Sequence, residues 1–264
     1  VSAPSGLVTL LTDFGIRDPF VGIMKGVMLS IARELRLVDL THGIEPQAIG
    51  EAAFWLEQSY RWFPAGSVHV VVVDPGVGSE RAAVAVRANG HYFVGPDNGS
   101  FEVVVRRAAA FEAREVVPER LGLSVPSRTF HGRDVFAPVG ASLAAGQLAF
   151  DALGAPRALV ATERVPEPIA DEDGIRGVVV AMDRFGNLVT NIALSPRGGP
   201  AIRVECATRS VELVRTYADV AVGTLGAVVG SCGTVELFVR DGSARELLGA
   251  KRGLPVRVSA TIHA

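Results

Sequence analysis

The sequence predicts an α/β domain followed by a small all-β domain, and three observations carry that expectation. Strand-like apolar runs alternate with helix-periodic segments through the first half. Val68–Val73 is an uninterrupted β-branched run apart from His69, which fits a strand covered on both faces of a parallel sheet. After a Pro-rich and acidic stretch, the second half carries only short β-type runs. The expected architecture is a mostly parallel, Rossmann-like layered sheet over residues 1–160, a linker over 161–173, and an all-β barrel over 174–264.

The elements follow in order. Leu7–Leu11 is an apolar run ending in Thr12-Asp13-Phe14-Gly15, a buried strand entering a turn. From Pro19 to about Ala32, Phe20, Met24, Val27, Met28 and Ile31 recur at helical spacing, and Pro19 suits a first helical turn, where a missing N–H is harmless. Leu37–Leu40 is the next strand. Ala48–Tyr60 is a second helix with Ile49, Ala52, Ala53 and Leu56 on one side. Asp74-Pro75-Gly76-Val77-Gly78 breaks the Val68–Val73 run sharply, and Phe136–Leu148 is a further helix, rich in small residues. Pro156, Pro166 and Pro168, then Asp171-Glu172-Asp173-Gly174, mark the connector. Beyond it Val178–Val180, Leu188–Ile192, Ile202–Val204, Val211–Val214, Ala227–Val229, Val235–Val239 and Val256–Ile262 read as short strands, with no long helix among them.

Composition narrows the function. Hydrophobic residues make up 48% and charged residues 20% of the 264, which is the balance of a packed globular protein. The net charge of -2 and the scattered Lys and Arg leave no electrostatic footprint for nucleic acid. Cys206 and Cys232 are too few for a disulfide scaffold and read as reduced structural thiols. The opening Val1-Ser-Ala-Pro-Ser-Gly lacks the pattern of a signal peptide, and the apolar runs are strand-length, short of a membrane span. A soluble, cytoplasmic protein is expected.

Ligands of open α/β sheets bind beyond the C-terminal ends of the strands. Three polar motifs fall there: Asp13 after Leu7–Leu11, Asp74 after Val68–Val73, and Asp97-Asn98 after Tyr92–Val94. A fourth, Thr129-Phe130-His131-Gly132-Arg133-Asp134, precedes a helix. An Asp after a strand is commonly a turn former or cap, so repetition at one sheet edge is what gives the set meaning. Gly76-Val77-Gly78-Ser79 lacks the lysine of a P-loop, no strand leads into G-x-G-x-x-G, and no G-x-S-x-G elbow is present. Read alone, the residues support a metal-dependent hydrolase of nucleotides with Asp13, Asp74, Asp97, Asn98 and His131 as ligands. The plainer alternative has His131 capping or packing at the helix start and Asp134 adding charge that suits the helix dipole. His69 reads as core, His42 as a turn residue, and His91 and His263 as surface.

Taken together, the motifs resemble one family: the S-adenosyl-L-methionine (SAM) hydroxide adenosyltransferases, relatives of the SAM-dependent fluorinase and chlorinase. The resemblance runs through Thr12-Asp13-Phe14-Gly15 with Met24-Lys25-Gly26-Val27, Asp39-Leu40-Thr41-His42-Gly43-Ile44, and Phe63-Pro64-Ala65-Gly66-Ser67-Val68-His69. It continues through Val73-Asp74-Pro75-Gly76-Val77-Gly78, Gly95-Pro96-Asp97-Asn98-Gly99, Thr129–Asp134, Asp183-Arg184-Phe185-Gly186-Asn187 and Thr190-Asn191-Ile192. It implies an α/β domain with a β-barrel behind it, and a homotrimer in which SAM lies between one subunit's first domain and a neighbour's second.

The resemblance also implies residue roles. Hydrolases of this family carry an Asp, an Arg and a His that match Asp74, Arg81 and His131, whereas halogenases have a Tyr at the place of Asp74 and an inserted loop shortly after. Here Ala82–Val94 runs on without insertion, and a carboxylate facing a halide pocket would repel the anion. Hydrolysis of SAM to adenosine and methionine is therefore expected, ahead of 5'-halogenation. By resemblance Asp13 accepts from the ribose hydroxyls, Asp183 meets the methionine ammonium, Asn187 reads the adenine edge, and Tyr217 lies against the ring. Ser231, Glu236 and Val239 match the remaining ligand contacts. Gln47 and Val189 stand where halogenases have aromatics, and Cys232 departs from the halogenase pattern beside the methionine carboxylate. No cofactor and no metal are implied, SAM being the substrate. A metal-dependent nucleotide hydrolase and a non-catalytic SAM or adenosine sensor are the rival readings.

Overall fold

The computed structural model describes residues 3–195 and 201–260. The chain divides into two compact units, Val1–Arg164 and Val165–Ala264. Residues 161–164 of the expected linker thus belong to the first unit and 165–173 to the second.

The first unit runs β1 (Leu7–Thr12), α1 (Phe20–Ile31), β2 (Arg36–Thr41), α2 (Ile49–Tyr60), β3 (Val68–Val72), β4 (Ala83–Ala88), β5 (His91–Pro96), α3 (Glu102–Arg106), β6 (Phe111–Val116) and α4 (Ala137–Ala144). Its sheet has the order β2-β1-β3-β5-β4-β6. The first four are parallel, and β4 is antiparallel to both its neighbours. Every residue of β3 is buried, as its apolar run predicts. Strand alternation then sends side chains to two layers. Val8, Leu10, Val70 and Val72 pack with Met24, Met28, Phe136 and Val139 on the α1/α4 side. Leu11, Val71 and Val73 pack with Ala52, Leu56 and Phe93 on the α2 side. Burying each such large side chain is worth about 1.5–3 kcal/mol, so the parallel centre is the stiff part of the unit.

Two expectations change here, and one hairpin appears that the sequence reading did not mark. The segment Ala82–Val94 holds two paired strands, β4 and β5, turned by Asn89-Gly90 with both residues at positive φ (51° and 80°). The helix expected over Phe136–Leu148 spans only Ala137–Ala144, entered through one wide turn at Gly132–Phe136 in which Ala137 N–H reaches Gly132 O. It ends early because Gly146, Gln147 and Leu148 donate back to Leu143 and Ser142 in a turn. His91, expected at the surface, is 6% exposed and bonded to His69.

The second unit comprises β7 (Ile169–Asp171), β8 (Gly174–Met182), β9 (Leu188–Ala193), β10 (Ile202–Cys206), β11 (Arg209–Val214), β12 (Leu225–Val229), β13 (Thr234–Val239), a short α5 (Ala244–Leu248) and β14 (Pro255–Ala260). The order β14-β10-β11-β12-β13-β9-β8-β7, with β14 also paired to β8, closes a seven-stranded barrel and leaves β7 as an edge. Val179, Leu188, Ile192, Val204, Leu237 and Val258 fill it. Closure satisfies the strand edges that an open sheet would expose. Val1, Thr261, Ile262 and His263 lie outside the described residues. Among those described, no helix is long and apolar enough to cross a membrane.

Candidate active site

The C-terminal end of β3 delivers Asp74. Its preceding carbonyl, Val73 O, accepts from Asn98 Nδ2 at 2.9 Å, and Asn98 Oδ1 in turn accepts from Ser100 Oγ at 2.7 Å. Beyond Asp74 the chain turns tightly: Val77 N–H bonds Asp74 O, and Ser79 Oγ donates to Gly76 O at 2.6 Å. Gly78 takes φ 79°, and a Cβ there would lie 2.8 Å from Arg128 O, so the turn demands glycine twice over. This return of the chain brings Arg81 back over Asp74. Arg81 Nε donates to Asp74 Oδ1 at 2.9 Å and Nη2 to Oδ2, a bidentate fork.

His131, 50 residues further on, enters from the start of the wide turn before α4 and accepts from Arg81 Nη2 through Nδ1 at 2.9 Å. The Arg81 guanidinium also lies 5.3 Å from the Phe136 ring centroid. The Asp74 and Arg81 side chains are only 6% and 10% exposed. A buried pair is tolerable when geometry is good and remaining atoms are bonded, as here. Burial, then the Arg81 charge, hold the His131 pKa below the usual histidine value, against the opposing pull of Asp74 and Asp134. The result is a linked carboxylate–guanidinium–imidazole set in which both Asp74 oxygens and His131 Nδ1 are committed to Arg81. The sequence-expected catalytic residues Asp74, Arg81 and His131 therefore come together as one cluster.

Asp13 sits half-buried at the end of β1. Its Oδ2 accepts from Gln47 N at 2.8 Å, with Gln47 held at φ 67°. That backbone donor aims the carboxylate and leaves Oδ1 and a second lone pair on Oδ2 for a ligand. Behind it, Thr12 Oγ1 meets His42 Nδ1 at 2.9 Å and accepts from Phe14 N, while Gly15 N donates to His42 O. His42 is thus a buried brace of the Asp13 turn; its Nε2 lies 3.0 Å from Asp39 Oδ1, off the line of a straight hydrogen bond.

The metal-ligand set expected from the residues alone does not assemble. Asp97 is turned to Arg157 Nε at 3.0 Å and Val160 N at 2.9 Å, and Asn98 supports β3. Asp74 is taken up by Arg81. Among the described residues no group of three or more His, Cys, Asp or Glu is placed to hold a metal ion. A cavity of about 370 Å³ does open beside Asp97 and Thr162, but Asp74, Arg81 and His131 do not line it.

In the second unit, Asp183 organises its own loop. Oδ1 accepts from Phe185 N and Asn187 N, both at 2.9 Å, and Oδ2 from Asn187 Nδ2 at 2.8 Å. Asn187 is 7% exposed and keeps its side-chain oxygen free of these bonds. On β13, Glu236 is opposite Val189 of β9 and accepts from Tyr217 Oη at 2.7 Å. Tyr217 stands edge-on to Phe238 at 4.8 Å, with 45% of its surface exposed. Burial, and then the nearby Asp183 charge, push the Glu236 carboxyl above its usual range, while Tyr217 pulls it down. Burial and Glu236 push the Tyr217 hydroxyl up. Ser231 is exposed on the turn before β13, Cys232 half-buried beside it, and Val239 closes the strand.

Sequence reasoning did not anticipate the Gln47 backbone donor, the support of Val73 by Asn98, or the Phe136 ring under Arg81. Gln47 and Asn98 stood in motifs already singled out; nothing in the local pattern announces Phe136.

An α/β unit with a linked Asp–Arg–His set beyond the C-terminal end of β3, followed by a closed β-barrel unit, defines a two-domain class of protein. Family comparison is specific. Residues 8–154 match the SAM hydroxide adenosyltransferase N-terminal domain and residues 177–257 the C-terminal domain of the same family. The chain belongs to the SAM hydroxide adenosyltransferase family. It is 41% identical over 258 residues to the (R)-S-adenosyl-L-methionine hydrolase of Thermus thermophilus, covering 95% of this chain and 98% of the relative. A fluorinase from Nocardia brasiliensis is more distant, 28% identical over 290 residues with 96% of each chain covered. The crystal structure of a conserved protein from Thermotoga maritima superposes with a TM-score of 0.87 at 32% identity, covering 96% of this chain and 99% of that one.

Proposed function

We propose that the protein hydrolyses SAM to adenosine and L-methionine by in-line attack of water at C5'. The observation that carries this reading is the Arg81 fork, which joins Asp74 to His131 in a family whose relatives include named SAM hydrolases. SAM is a sulfonium, so methionine leaves as a neutral thioether and no general acid is required. The site has only to hold a water in line with the C5'–S bond and exclude others. As the C5'–O bond forms, the C5'–S electron pair goes to sulfur and the attacking oxygen becomes a strong acid. In this reading Asp74 takes its proton. His131, with Nδ1 committed to Arg81, serves as a donor to the water through Nε2–H.

The same arrangement disfavours halide. Arg81, the nearest cation, already neutralises Asp74, so an anion entering would meet a carboxylate with no free positive partner. In this reading Asp13 holds the ribose hydroxyls, Asp183 the ammonium and Asn187 the adenine edge. Tyr217 lies against the ring, and Ser231, Glu236 and Val239 complete the contacts. The protein works without a metal or cofactor as a cytoplasmic homotrimer, SAM drawing its two sets of residues from neighbouring copies.

The test is product analysis by liquid chromatography after incubation with SAM, with and without chloride, fluoride and EDTA. Equal adenosine and methionine, indifferent to halide and chelator, is the expected result. A 5'-halo-adenosine peak, loss of turnover with EDTA, or binding without product would each overturn it, in favour of a halogenase, a metal-dependent hydrolase or a sensor.

A further inference from the structure

We propose that Asp134 is a positioning residue for this hydrolysis, clamping the turn that carries His131 so that Nδ1 meets Arg81. The inference rests on the hydrolase reading only for its effect on turnover. Asp134 sits three residues beyond His131 in the wide turn, and its carboxylate is 5% exposed. A carboxylate that merely complemented the helix dipole would face solvent or the first-turn N–H groups. This one reaches outward along the chain instead. Oδ2 accepts from Ser127 N at 3.2 Å, seven residues back, and from Arg133 Nη2 at 3.0 Å; Oδ1 accepts from Arg133 Nε at 2.6 Å.

Arg133 extends the clamp. Its guanidinium lies 5.2 Å from the Phe130 ring centroid, and Arg133 N and Asp134 N both donate to Phe130 O at 3.1 Å. The segment from Ser127 to Asp134 is therefore tied at both ends and across its middle, with His131 at its centre. Phe130 packs edge-on against Phe14 and Phe20, which anchors the turn to the loop after β1 and to α1. Among the described residues the His131 ring bonds to the Arg81 side chain alone, so its aim depends on this backbone. A misplacement of about 1 Å at a reacting group costs on the order of a hundredfold in rate, which makes the clamp worth its buried charge.

The charge has a second consequence. The ionic groups facing His131 are Arg81, Asp74 and Asp134, the first opposing protonation and the other two favouring it. Asp134→Asn removes one favouring charge, so the imidazole should titrate at lower pH. Arg133→Gln strips the counter-charge from Asp134, so it should titrate at higher pH. The opposite shifts report the charges around the ring, and a fall in kcat at nearly unchanged KM reports its aim.

The experiment is nitrogen-15 NMR titration of the His131 ring in ligand-free protein, paired with kcat and KM for SAM, on wild type, Asp134→Asn, Asp134→Glu and Arg133→Gln. Expected are a downward shift for Asp134→Asn with kcat lowered about tenfold or more and KM nearly unchanged. Asp134→Glu should return the titration toward wild type, and Arg133→Gln should raise it. Wild-type titration together with wild-type kcat in Asp134→Asn overturns the proposal. So does a fall in kcat that tracks only the folded fraction while the titration stays put. If the titrations shift as expected but wild type makes no adenosine, the hydrolase reading fails while the coupling of Asp134 to His131 stands. Arg133→Gln alone decides the matter should Asp134→Asn not fold.

Discussion

The Arg81 guanidinium donates through Nη2 to His131 Nδ1 at 2.9 Å. An arginine in a protein is always a donor, so this contact fixes the histidine as the neutral tautomer with its proton on Nε2. Protonating Nδ1 would set two donors face to face in a desolvated site. The set as arranged thus needs a neutral His131 with Nε2–H turned away from Arg81.

The pH dependence of turnover follows. Burial and Arg81 lower the His131 pKa from its ordinary 6.5, so the neutral ring persists into more acid solution. In the proposed mechanism activity needs that neutral ring, so it is lost as pH falls through the lowered value. A pH–rate profile of kcat/KM, which reports the free enzyme, should place the acid limb below 6.5. A limb above that value would mean that another group titrates.

Arg81 is the hinge of the set, and lysine should not replace it. The guanidinium makes a fork to both oxygens of Asp74 and still reaches His131, whereas an ammonium is a point charge on a flexible stem. Arg81→Ala leaves a buried carboxylate unpaired, at a cost of about 3–5 kcal/mol in stability. Arg81→Lys should spare most of that stability yet lower kcat about a hundredfold by misplacing both partners. Thermal unfolding and kcat on the two variants separate the effects. Near-wild-type turnover in Arg81→Lys would reduce Arg81 to a counter-ion.

How much of this was legible in the sequence divides along physical lines. The strands β1 and β3 announce themselves because both faces are buried, and α1 and α2 through their apolar spacing. The β4–β5 hairpin was missed although Asn89-Gly90 is a strong two-residue turn signal, because His91 beside it read as surface. His91 in fact finds a buried partner in His69. The wide turn at Gly132–Phe136 has no sequence mark, since its composition is that of an ordinary helix start. The candidate site was visible only as separate motifs. Their convergence depends on Gly78 turning the chain back and on α4 packing against β3, and the metal reading arose from counting carboxylates without seeing that Asp97 faces Arg157.

In the second unit, Tyr217 and Glu236 should act as a pair. The phenol donates to a carboxylate buried on β13, a bond to a charged group worth about 1.5–3 kcal/mol. Tyr217→Phe keeps the ring over Phe238 but removes the bond and leaves Glu236 free to rotate. The expected result is a rise in KM for SAM of about tenfold with kcat within about threefold of wild type, since in the proposed reading these residues bind substrate and take no part in the chemistry. An unchanged KM would exclude Tyr217 and Glu236 from substrate contact and leave the pair a barrel brace.

Stability against acid should be governed by the histidine pair on the other side of the sheet's core. His69 is fully buried, bonded through Nδ1 to Thr9 Oγ1 at 2.7 Å and through Nε2 to His91 Nδ1 at 3.1 Å, and stacked on Phe93. With Thr9 donating to His69 and His69 to His91, every bond is satisfied by neutral rings. Burial, then the His91 ring, bring the His69 pKa down from 6.5 to about 3. The unfolded chain therefore binds a proton that the folded chain refuses. The contribution to stability is complete above pH 6.5 and is lost as pH falls from 6.5 toward 3, at about 1.4 kcal/mol per pH unit. Urea unfolding of wild type and His69→Gln between pH 7 and pH 4 tests this. The variant should be less stable at pH 7, having lost the stacking and the fitted bonds, but its disadvantage should shrink by about that slope as the solution is acidified. Parallel stability curves would show that His69 is not the proton-refusing group and would move the acid sensitivity to the carboxylates.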